Sequence, residues 1–164
     1  MKEVIKMKKI SRDLQLTILQ NLKLRNTENM DVAAIDYYGS VFSYRQLFDK
    51  IDVYKRAFLK LCGTSRKPVT IVTPTIPSSI FALYGAIDSN KIANLTSPGF
   101  ISVYTKKYTV DLDSDTVVIL DKFLNDALIS RFADAGVRHI IVTSICDYMP
   151  ADKQHPSMAN PISK

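Results

Sequence analysis

Residues 68–96 read PVTIVTPTIPSSIFALYGAIDSNKIANLT, and this stretch decides the fold class. Its opening run, 69–73, is continuously β-branched, which is typical of a strand buried on both faces, and Pro74 ends it. Pro77 occupies the position of a first helical residue, and apolar residues at helical spacing follow it. A second strand is predicted over 92–96. Because parallel strands need a crossover between them, this strand–helix–strand order predicts two parallel strands in one sheet.

The same alternation of strands and helices recurs downstream. A buried strand is predicted over 116–120, a helix over 122–135 and a further strand over 138–144. The residues that this helix should turn inward are Phe123, Ala127, Leu128 and Phe132. Residues 101–110 are ambiguous, since their β-branched content favours a strand while Ser102 could begin a helix. The whole order predicts an α/β fold, with a mostly parallel sheet and helices on both faces.

An N-terminal helix and a β-hairpin are predicted before this pattern begins. Ser11 is a natural N-cap for a helix that ends near Asn26. Its apolar stripe consists of Leu14, Ile18 and Leu22, widened by Leu16 and Leu19. Strand-like runs over 33–38 and 41–43 are separated by Gly39-Ser40, which indicates a hairpin with a two-residue turn.

The strongest helix signal follows the hairpin. Ser43 and Gln46 form a capping box, in which each side chain can bond a backbone N–H that the first turn leaves unpaired. Apolar residues then recur at steps of three and four: Tyr44, Leu47, Ile51, Tyr54, Phe58 and Leu61. Gly63 offers a cap at the other end. This helix should therefore bury one continuous face.

The net charge of +6 comes mainly from one end of the chain. Residues 1–12 hold five basic residues and one Glu, which leaves the rest nearly balanced. A charged terminus is usually solvated, so we expect no nucleic-acid partner. No aliphatic run approaches the ~18 residues of a membrane span, so no transmembrane segment is expected. The two cysteines form no Cys-x-x-Cys pair and no apolar secretory segment follows Met1, which favours a cytoplasmic location.

The composition along the chain predicts three segments. Residues 1–10 form a basic N-terminal tail, and residues 11–150 form the α/β unit. Residues 151–164 contain prolines without hydrophobic periodicity, which is typical of a flexible end or a linker to further domains.

The glycines are too widely spaced to form a phosphate loop. There are five, and the closest two are Gly85 and Gly99, whereas nucleotide-binding loops need several within a few residues. The segment most like a phosphate-binding loop is 63–68, but it holds one glycine. It also follows the C-terminus of a predicted helix, where the helix dipole repels anions. The sequence therefore predicts no phosphate-binding loop in this chain.

Catalytic and metal-binding patterns are likewise incomplete. His139 and His155 stand alone, without partners that would make a triad or a metal site. The alternating carboxylates Asp111, Asp113 and Asp115 lack the glycine and the closing Glu of a calcium loop. We therefore assign no catalytic residue and no metal ligand, and expect no cofactor to be held by this chain itself.

The best candidates for ligand contact lie at the carboxyl ends of two predicted strands. Doubly wound sheets leave a crevice there, and the turns 73–75 and 96–97, at the ends of the strands predicted over 69–73 and 92–96, provide hydroxyl groups and backbone amides. The candidate substrate-binding residues are Thr73, Thr75, Thr96 and Ser97. The alternative is that they are plain turn residues.

Three segments, in this order, resemble adenylate-forming (AMP-binding) enzymes, the family of acyl-CoA synthetases. Residues 33–61 resemble the family's opening hairpin and Tyr-x-x-Leu helix, AAIDYYGSVFSYRQLFDKIDVYKRAFLKL. Residues 69–98 are similar to its next strand, Pro-rich turn, helix and strand. Residues 115–150, DTVVILDKFLNDALISRFADAGVRHIIVTSICDYMP, resemble the following strand–helix–strand, and the closing VTSICDYMP is most like the bacterial long-chain fatty-acyl-CoA ligases.

The resemblance implies the N-terminal subdomain of a larger enzyme. Family members activate a carboxylic acid with ATP and magnesium to an acyl-adenylate, and usually pass the acyl group to coenzyme A. Their phosphate loop, magnesium motif and C-terminal lysine have no counterpart in these 164 residues, so no catalytic residue is carried over. The resemblance implies that this chain is inactive alone, with the phosphate-loop subdomain and the C-terminal domain as its partners.

Two other functions remain open at this point. The chain could be a free-standing α/β binding or partner-interaction module derived from such an enzyme, which a downstream reading frame with a phosphate loop would argue against. A basic nucleic-acid-binding role rests on the N-terminal charge alone, and binding that does not depend on salt would remove it.

Overall fold

The structure is a computed structural model, and it describes residues 16–99 and 113–158. Its helices are α1 (Ile18–Arg25), α2 (Tyr44–Cys62), α3 (Pro77–Asp88) and α4 (Asp126–Asp134). Its strands are β1 (Ala33–Tyr37), β2 (Ser40–Ser43), β3 (Val69–Val72), β4 (Ala93–Leu95), β5 (Thr116–Leu120) and β6 (His139–Thr143). Single 3-10 turns cover Asp121–Phe123, Ala151–Lys153 and Pro156–Met158.

The main sheet has four strands in the order β4-β3-β5-β6, and all its neighbours pair in parallel. Val69 at the start of β3 lies opposite Ala93 on one side and Thr116 on the other. Every residue of β3 and of β5 is buried, as expected for parallel strands covered on both faces. The α/β fold class predicted from the sequence is therefore confirmed.

Different helices cover the two faces of the sheet. Phe58 of α2 and Ala82 and Ala86 of α3 pack with Val69, Ile71 and Val118 on one face. Leu128 and Phe132 of α4 pack with Val72, Val117 and Ile119 on the other. The alternation of side chains along β3 and β5 thus supplies both cores.

A third apolar cluster joins the antiparallel hairpin β1-β2 to the helices. Phe42 of β2, Phe81 of α3 and Tyr148 after β6 form a triangle of edge-to-face rings, here called the aromatic triangle, with centroids 5.4–5.7 Å apart. The Tyr37 hydroxyl donates a hydrogen bond to the carbonyl of Ile145 at 2.9 Å. The hairpin is therefore held against the segment that follows the last strand.

Helix α2 is the element that the sequence predicts best. The Gln46 amide donates to Ser43 Oγ at 3.3 Å, and the Ser43 amide donates to Gln46 Oε1 at 2.9 Å, which completes the capping box. The predicted stripe faces the core, and Ile51 and Phe58 are fully buried. Gly63 ends the helix at a positive φ of 50°, where other residues would be strained.

The hairpin turn lies one residue earlier than the predicted Gly39-Ser40. Its central residues are Tyr38 and Gly39, with φ of 56° and 89°, while Ser40 already pairs with Tyr37 in the ladder. The Gly39 amide donates to Asp36 Oδ1 at 2.9 Å. A type I′ hairpin turn needs positive φ at both central positions, and the Asp36 side chain stabilises that conformation here.

The first helix differs from its prediction at its start and on its buried face. Thr17 caps it through a capping box with Gln20, while Ser11 and Leu14 lie outside the described residues. Leu19 is the fully buried residue, whereas Ile18, predicted to lie on the stripe, is 68% exposed. Because the helix begins at Ile18, only a short stretch of it contacts the core.

The predicted helix over 122–135 is shorter than expected. A 3-10 turn occupies its start, and α4 begins only at Asp126, because the Asn125 side chain accepts the Leu128 amide at 2.9 Å as an N-cap. This cap rotates Ala127, predicted inward, to an exposed position, and Leu124 is buried instead. Residues 101–110 and 1–10 lie outside the described residues, and the boundary at residue 150 stays a prediction.

Candidate functional site

A pocket of about 420 Å³ opens at the carboxyl ends of β3 and β4, beside the first turns of α3. It is lined by Ile71, Thr73, Pro74, Thr75, Ser79, Ile80, Leu83, Leu95, Thr96, Ser97 and Pro98. Small-molecule sites in proteins have volumes of roughly 300–1,000 Å³, so this pocket lies in the lower part of that range.

The wall from β3 to α3 is fixed by a Pro-rich turn. Pro77 begins α3, and the Ser79 hydroxyl both accepts from the Ile76 amide at 3.0 Å and donates to the Ile76 carbonyl at 2.6 Å. Pro74 and Pro77 restrict the backbone on both sides of Ile76. The turn is therefore preorganised before any ligand arrives.

The opposite wall comes from the end of β4. The Thr96 amide donates to the Ile71 carbonyl at 2.9 Å, which extends the pairing of the two strands by one bond. Thr96 is consequently buried, while the preceding Leu95 is 62% exposed at the rim. The pocket therefore has a fixed floor and an apolar, accessible edge.

The structure brings the four predicted substrate-binding residues together. Thr73, Thr75, Thr96 and Ser97 all line this one pocket, two on each side. Thr75 and Ser97 are exposed, and Thr73 is partly buried. The Thr73 hydroxyl oxygen itself is buried and has no hydrogen-bond partner within the described chain.

Sequence reasoning missed the part of the pocket wall that α3 supplies. Ser79, Ile80 and Leu83 follow the Pro-rich turn, and the sequence predicts the apolar two only as part of the helix that begins at Pro77. Their spacing places them on the side of α3 near its N-terminus, and that position after strand β3 was the available signal. Both of these side chains remain partly exposed, as residues that line a pocket should.

Among the described residues that line the pocket, none is ionisable. The nearest carboxylate in the strand order is Asp121, which follows β5, is buried and accepts the Lys122 amide at 2.7 Å. An acid or base catalyst would need a titratable group within hydrogen-bond reach of the ligand. The pocket can therefore bind and orient a ligand, but its own side chains supply no proton transfer.

The phenols near α3 are also unsuited to proton transfer at neutral pH. Burial raises the pKa of Tyr54 to about 12, an effect that the nearby Ser78 hydroxyl partly opposes. Burial also raises the pKa of Tyr148 in the aromatic triangle. Both phenols stay protonated at neutral pH. Tyr54 packs α2 against α3, and Tyr148 packs in the aromatic triangle.

Among the described residues, no group of His, Cys, Asp and Glu side chains is arranged to hold a metal ion. His139 lies in the edge strand β6, and the exposed His155 ring bonds Ser157 at 2.8 Å. Within the same ranges, no helix combines the length and hydropathy that crossing a membrane requires.

Comparison with known proteins finds the same fold inside larger enzymes. No family profile matches the chain, and no curated protein matches its sequence. An anthranilate CoA ligase, AuaEII, solved with anthranoyl-AMP, superposes with a TM-score of 0.61 at 17% identity, covering 78% of this chain and 26% of the ligase. A benzoate CoA ligase from Burkholderia xenovorans LB400 gives 0.58 at 16% identity, covering 79% and 26%.

A third similar structure, MatB from Rhodopseudomonas palustris, gives a TM-score of 0.58 at 14% identity, covering 70% of this chain and 23% of MatB. The chain thus spans about a quarter of the length of these proteins. It shares the fold of one part of adenylate-forming CoA ligases.

Proposed function

We propose that this chain is the N-terminal subdomain of an adenylate-forming acyl-CoA ligase and forms one wall of its carboxylic-acid cleft. The observation that carries the proposal is the fold, four parallel strands in the order β4-β3-β5-β6, which superposes on a quarter of two aryl-CoA ligases. The three sequence segments that resemble this family, in the family's order, support it separately.

The position of the pocket supports the same function. Ligands of open α/β sheets bind outside the carboxyl ends of the strands, and this pocket lies at that edge. Thr73 and Thr75 would face the acid from the β3 side, and Thr96 and Ser97 from the β4 side. Their role is to position the substrate, because none of them is activated by a neighbouring base in the pocket wall.

The described residues do not fit ATP or magnesium. The pocket wall holds no cation for a triphosphate, and the described ranges hold no carboxylate cluster for a divalent ion. We assign ATP, magnesium and coenzyme A to the rest of the ligase, its phosphate-loop subdomain and C-terminal domain. This chain alone is then a binding surface without adenylation activity.

The identity of the acid is a finer proposal. Residues 142–150, VTSICDYMP, resemble the fatty-acyl branch of the family, and we propose a fatty acid as substrate of the complete enzyme. Acid-dependent pyrophosphate exchange by the complete enzyme, compared between a long-chain fatty acid and benzoate, separates this from an aryl substrate.

Pyrophosphate exchange also tests the main proposal. The purified 164-residue chain should give no acid-dependent exchange, because the electrostatic groups that stabilise the phosphoryl transition state are missing from it. Turnover that is proportional to this protein and dependent on added acid would contradict the proposal. Sequencing beyond Lys164 should reveal a glycine-rich phosphate loop, and co-expression with that part should restore exchange.

A free-standing binding module is the second candidate function. It is favoured by the complete cores that the described residues build on both faces of the sheet. This candidate predicts a reading frame with no phosphate loop downstream, together with ligand or partner binding by the chain alone. The same sequencing experiment therefore decides between the two.

A further inference from the structure

Most of the net charge of +6 lies in residues 1–25. This stretch holds two acidic residues, Glu3 and Asp13, and seven basic residues, Lys2, Lys6, Lys8, Lys9, Arg12, Lys23 and Arg25, so its own net charge is +5. The rest of the chain is nearly neutral. A partner that is attracted to this end of the protein is therefore anionic.

The same stretch is rich in large apolar side chains. Those that precede α1 stand among the basic residues and are Val4, Ile5, Met7, Ile10, Leu14 and Leu16. Charge alone is typical of a solvated terminus, whereas basic and large apolar residues together are typical of segments that bind the surface of a lipid bilayer. Nucleic acids are bound through cations at their phosphates and gain little from aliphatic side chains. The composition therefore favours a lipid surface over a nucleic acid.

Helix α1 continues this composition within the described residues. Leu19 is fully buried in the cluster that contains Phe48, so it fixes which side of the helix faces the core. Asn21 lies nearly opposite Leu19 on the helix, and Ile18 and Leu24 flank Asn21 in steps of three. These two side chains are 68% and 61% exposed. The helix is thus anchored on one side and presents two large apolar side chains on the other.

Cationic groups accompany these exposed side chains. Arg25 is exposed and follows Asn21 by four residues, which places it beside the same outer row. The Lys23 amine lies 5.7 Å from the centroid of the Phe48 ring, at the flank of the helix. Among the described residues, neither Lys23 nor Arg25 has an ion-pair partner, and the next acidic residue along the chain is the exposed Glu28. The outer side of α1 therefore combines apolar and cationic groups, as interfacial helices do.

We propose that residues 1–25 bind the surface of an anionic lipid bilayer. The basic side chains meet the phosphate headgroups, and Ile18 and Leu24 enter the layer just below them. The contact is peripheral, because charges recur too often in this stretch for it to cross the bilayer. This inference is a property of the chain itself and does not depend on the proposed ligase function.

The experiment is sedimentation of the whole chain with lipid vesicles. Vesicles of phosphatidylcholine with added phosphatidylglycerol should carry the protein into the pellet, and vesicles of phosphatidylcholine alone should bind it at least about tenfold more weakly. The affinity for the anionic vesicles should also fall as the salt concentration rises. Equal binding to both kinds of vesicle, or binding to neither, would overturn the inference.

Two matched double variants test the apolar contact, and all four side chains are exposed, so both proteins should keep their fold. Ile18→Ser with Leu24→Ser should weaken binding to the anionic vesicles about five- to tenfold, because less apolar surface is buried in the bilayer. Val53→Ser with Leu59→Ser removes two side chains of the same spacing from α2 and should leave binding unchanged. Equal losses in the two variants, or no loss in the first, would contradict the role of α1.

A second pair of variants tests the charge. Lys6→Gln with Lys9→Gln should weaken binding to the anionic vesicles about tenfold or more, because each basic residue near the surface contributes to the attraction. Lys60→Gln with Arg66→Gln removes two exposed charges elsewhere and should change the affinity less than about twofold. A larger loss in this control would show that the net charge of the protein, and not its first 25 residues, determines the binding.

Double-stranded DNA separates a lipid surface from a general site for polyanions. At the same salt concentration the chain should bind DNA more weakly than the anionic vesicles, and tighter binding to DNA would overturn the inference. The pyrophosphate exchange assay can fail independently. A complete ligase that is active on co-expression, but whose N-terminal chain does not bind vesicles, would keep the proposed function and remove this inference.

Discussion

The amino and carboxyl edges of the parallel sheet are built from different chemistry. At the amino edge, where the strands begin, Arg138 pairs with the buried Asp115 at 2.7 Å, and Lys67 pairs with Asp113 at 2.9 Å. At the carboxyl edge, hydroxyl and apolar side chains surround a pocket, and none of its described lining residues is charged. The charged groups named at the amino edge are thus paired with one another, whereas the carboxyl edge has a cavity that can bind a ligand.

Further hydrogen bonds close the amino edge. The Lys91 amine donates to the carbonyls of Gly63 and Ser65, which follow α2. Thr70 and Ser114 share a hydrogen bond of 2.6 Å between β3 and the start of β5, and both side chains are buried. Satisfied polar groups of this kind hold elements in place, so we expect substitutions here to change stability, and those at the pocket rim to change binding.

The largest loss of unfolding free energy is expected from a substitution in the core between the two edges of the sheet. Phe58→Ala should lower the free energy of unfolding by about 3–5 kcal/mol, because a fully buried ring would leave a cavity against the sheet. Denaturant unfolding measures it, with the neighbouring Leu59→Ala, 47% exposed, as the control. A loss below about 1 kcal/mol would show that this face of α2 does not form the core.

Asp115→Ala should cause the next largest loss of unfolding free energy. A loss of this size would show that the amino edge of the sheet contributes to stability. Its carboxylate accepts from Arg138 and, at 3.2 Å, from the Thr116 hydroxyl, so its removal should cost about 2–3 kcal/mol. Lys67→Ala, which removes one partner of an exposed ion pair, should cost under about 1 kcal/mol. Similar losses for both variants would contradict the ranking of these two pairs.

The same carboxylate should make stability depend on pH. Burial alone would raise the pKa of Asp115, but hydrogen bonds from Ser65, Arg138 and Thr116 outweigh it and lower the pKa below 3.8. Its stabilising contribution is therefore complete above the unfolded-state pKa and is lost as pH falls through the lower folded-state pKa. The stability difference between wild type and Asp115→Asn should shrink below about pH 4, and a difference that grows there would contradict this sign.

Gly85→Ala should have an intermediate effect, at the contact of α2 with α3. An added Cβ would lie 2.6 Å from Tyr54 Cβ and 3.0 Å from the Lys55 backbone nitrogen, so the helices must separate. Overpacking of this kind costs about 1–3 kcal/mol. At Gly99→Ala, beside the pocket, the added Cβ would lie 3.9 Å from Ser97 Oγ, an ordinary contact among the described residues, and this variant serves as the control. Thermal unfolding that ranks the two variants in the opposite order would contradict the close helix contact.

The smallest effect is expected at the pocket rim. Leu95→Ala and Thr75→Lys change exposed side chains and should alter the unfolding free energy by no more than about 0.5 kcal/mol. Losses of unfolding free energy comparable to that of Asp115→Ala would contradict the contrast between the two edges, because both edges would then contribute to stability.

The sequence predicts those parts of the fold that depend on neighbours along the chain. The capping box of Ser43 and Gln46, the buried run of β3 and the start of α3 at Pro77 all follow from local patterns. Where two local signals compete, the predicted position of a helix start or a turn is wrong. Asn125 caps α4 in place of a helix start at residue 122, and the Asp36 side chain moves the hairpin turn to Tyr38-Gly39.

The residues of the candidate site were likewise predicted only in part. Four of its five hydroxyl residues, Thr73, Thr75, Thr96 and Ser97, could be predicted, because the ends of parallel strands meet at one edge of the sheet. The contribution of Ile80 and Leu83 could not, since helical periodicity does not show how far a helix leans over a strand end. The pair of Asp115 and Arg138 was also missed, although Asp115 lies directly before one predicted parallel strand and Arg138 begins the next.

The contact between Tyr37 and Ile145 also sets the order in which the protein can fold during synthesis. Tyr37 and Ile145 are separated by 108 positions along the chain. At ribosomal rates of about 5–20 residues per second, Ile145 is therefore added roughly 5–20 s after Tyr37. The aromatic triangle is completed in the same final stage, since Tyr148 follows Ile145. Until then Phe42 and Phe81 lack one of their ring partners, and the nascent chain carries uncovered aromatic surface during that interval.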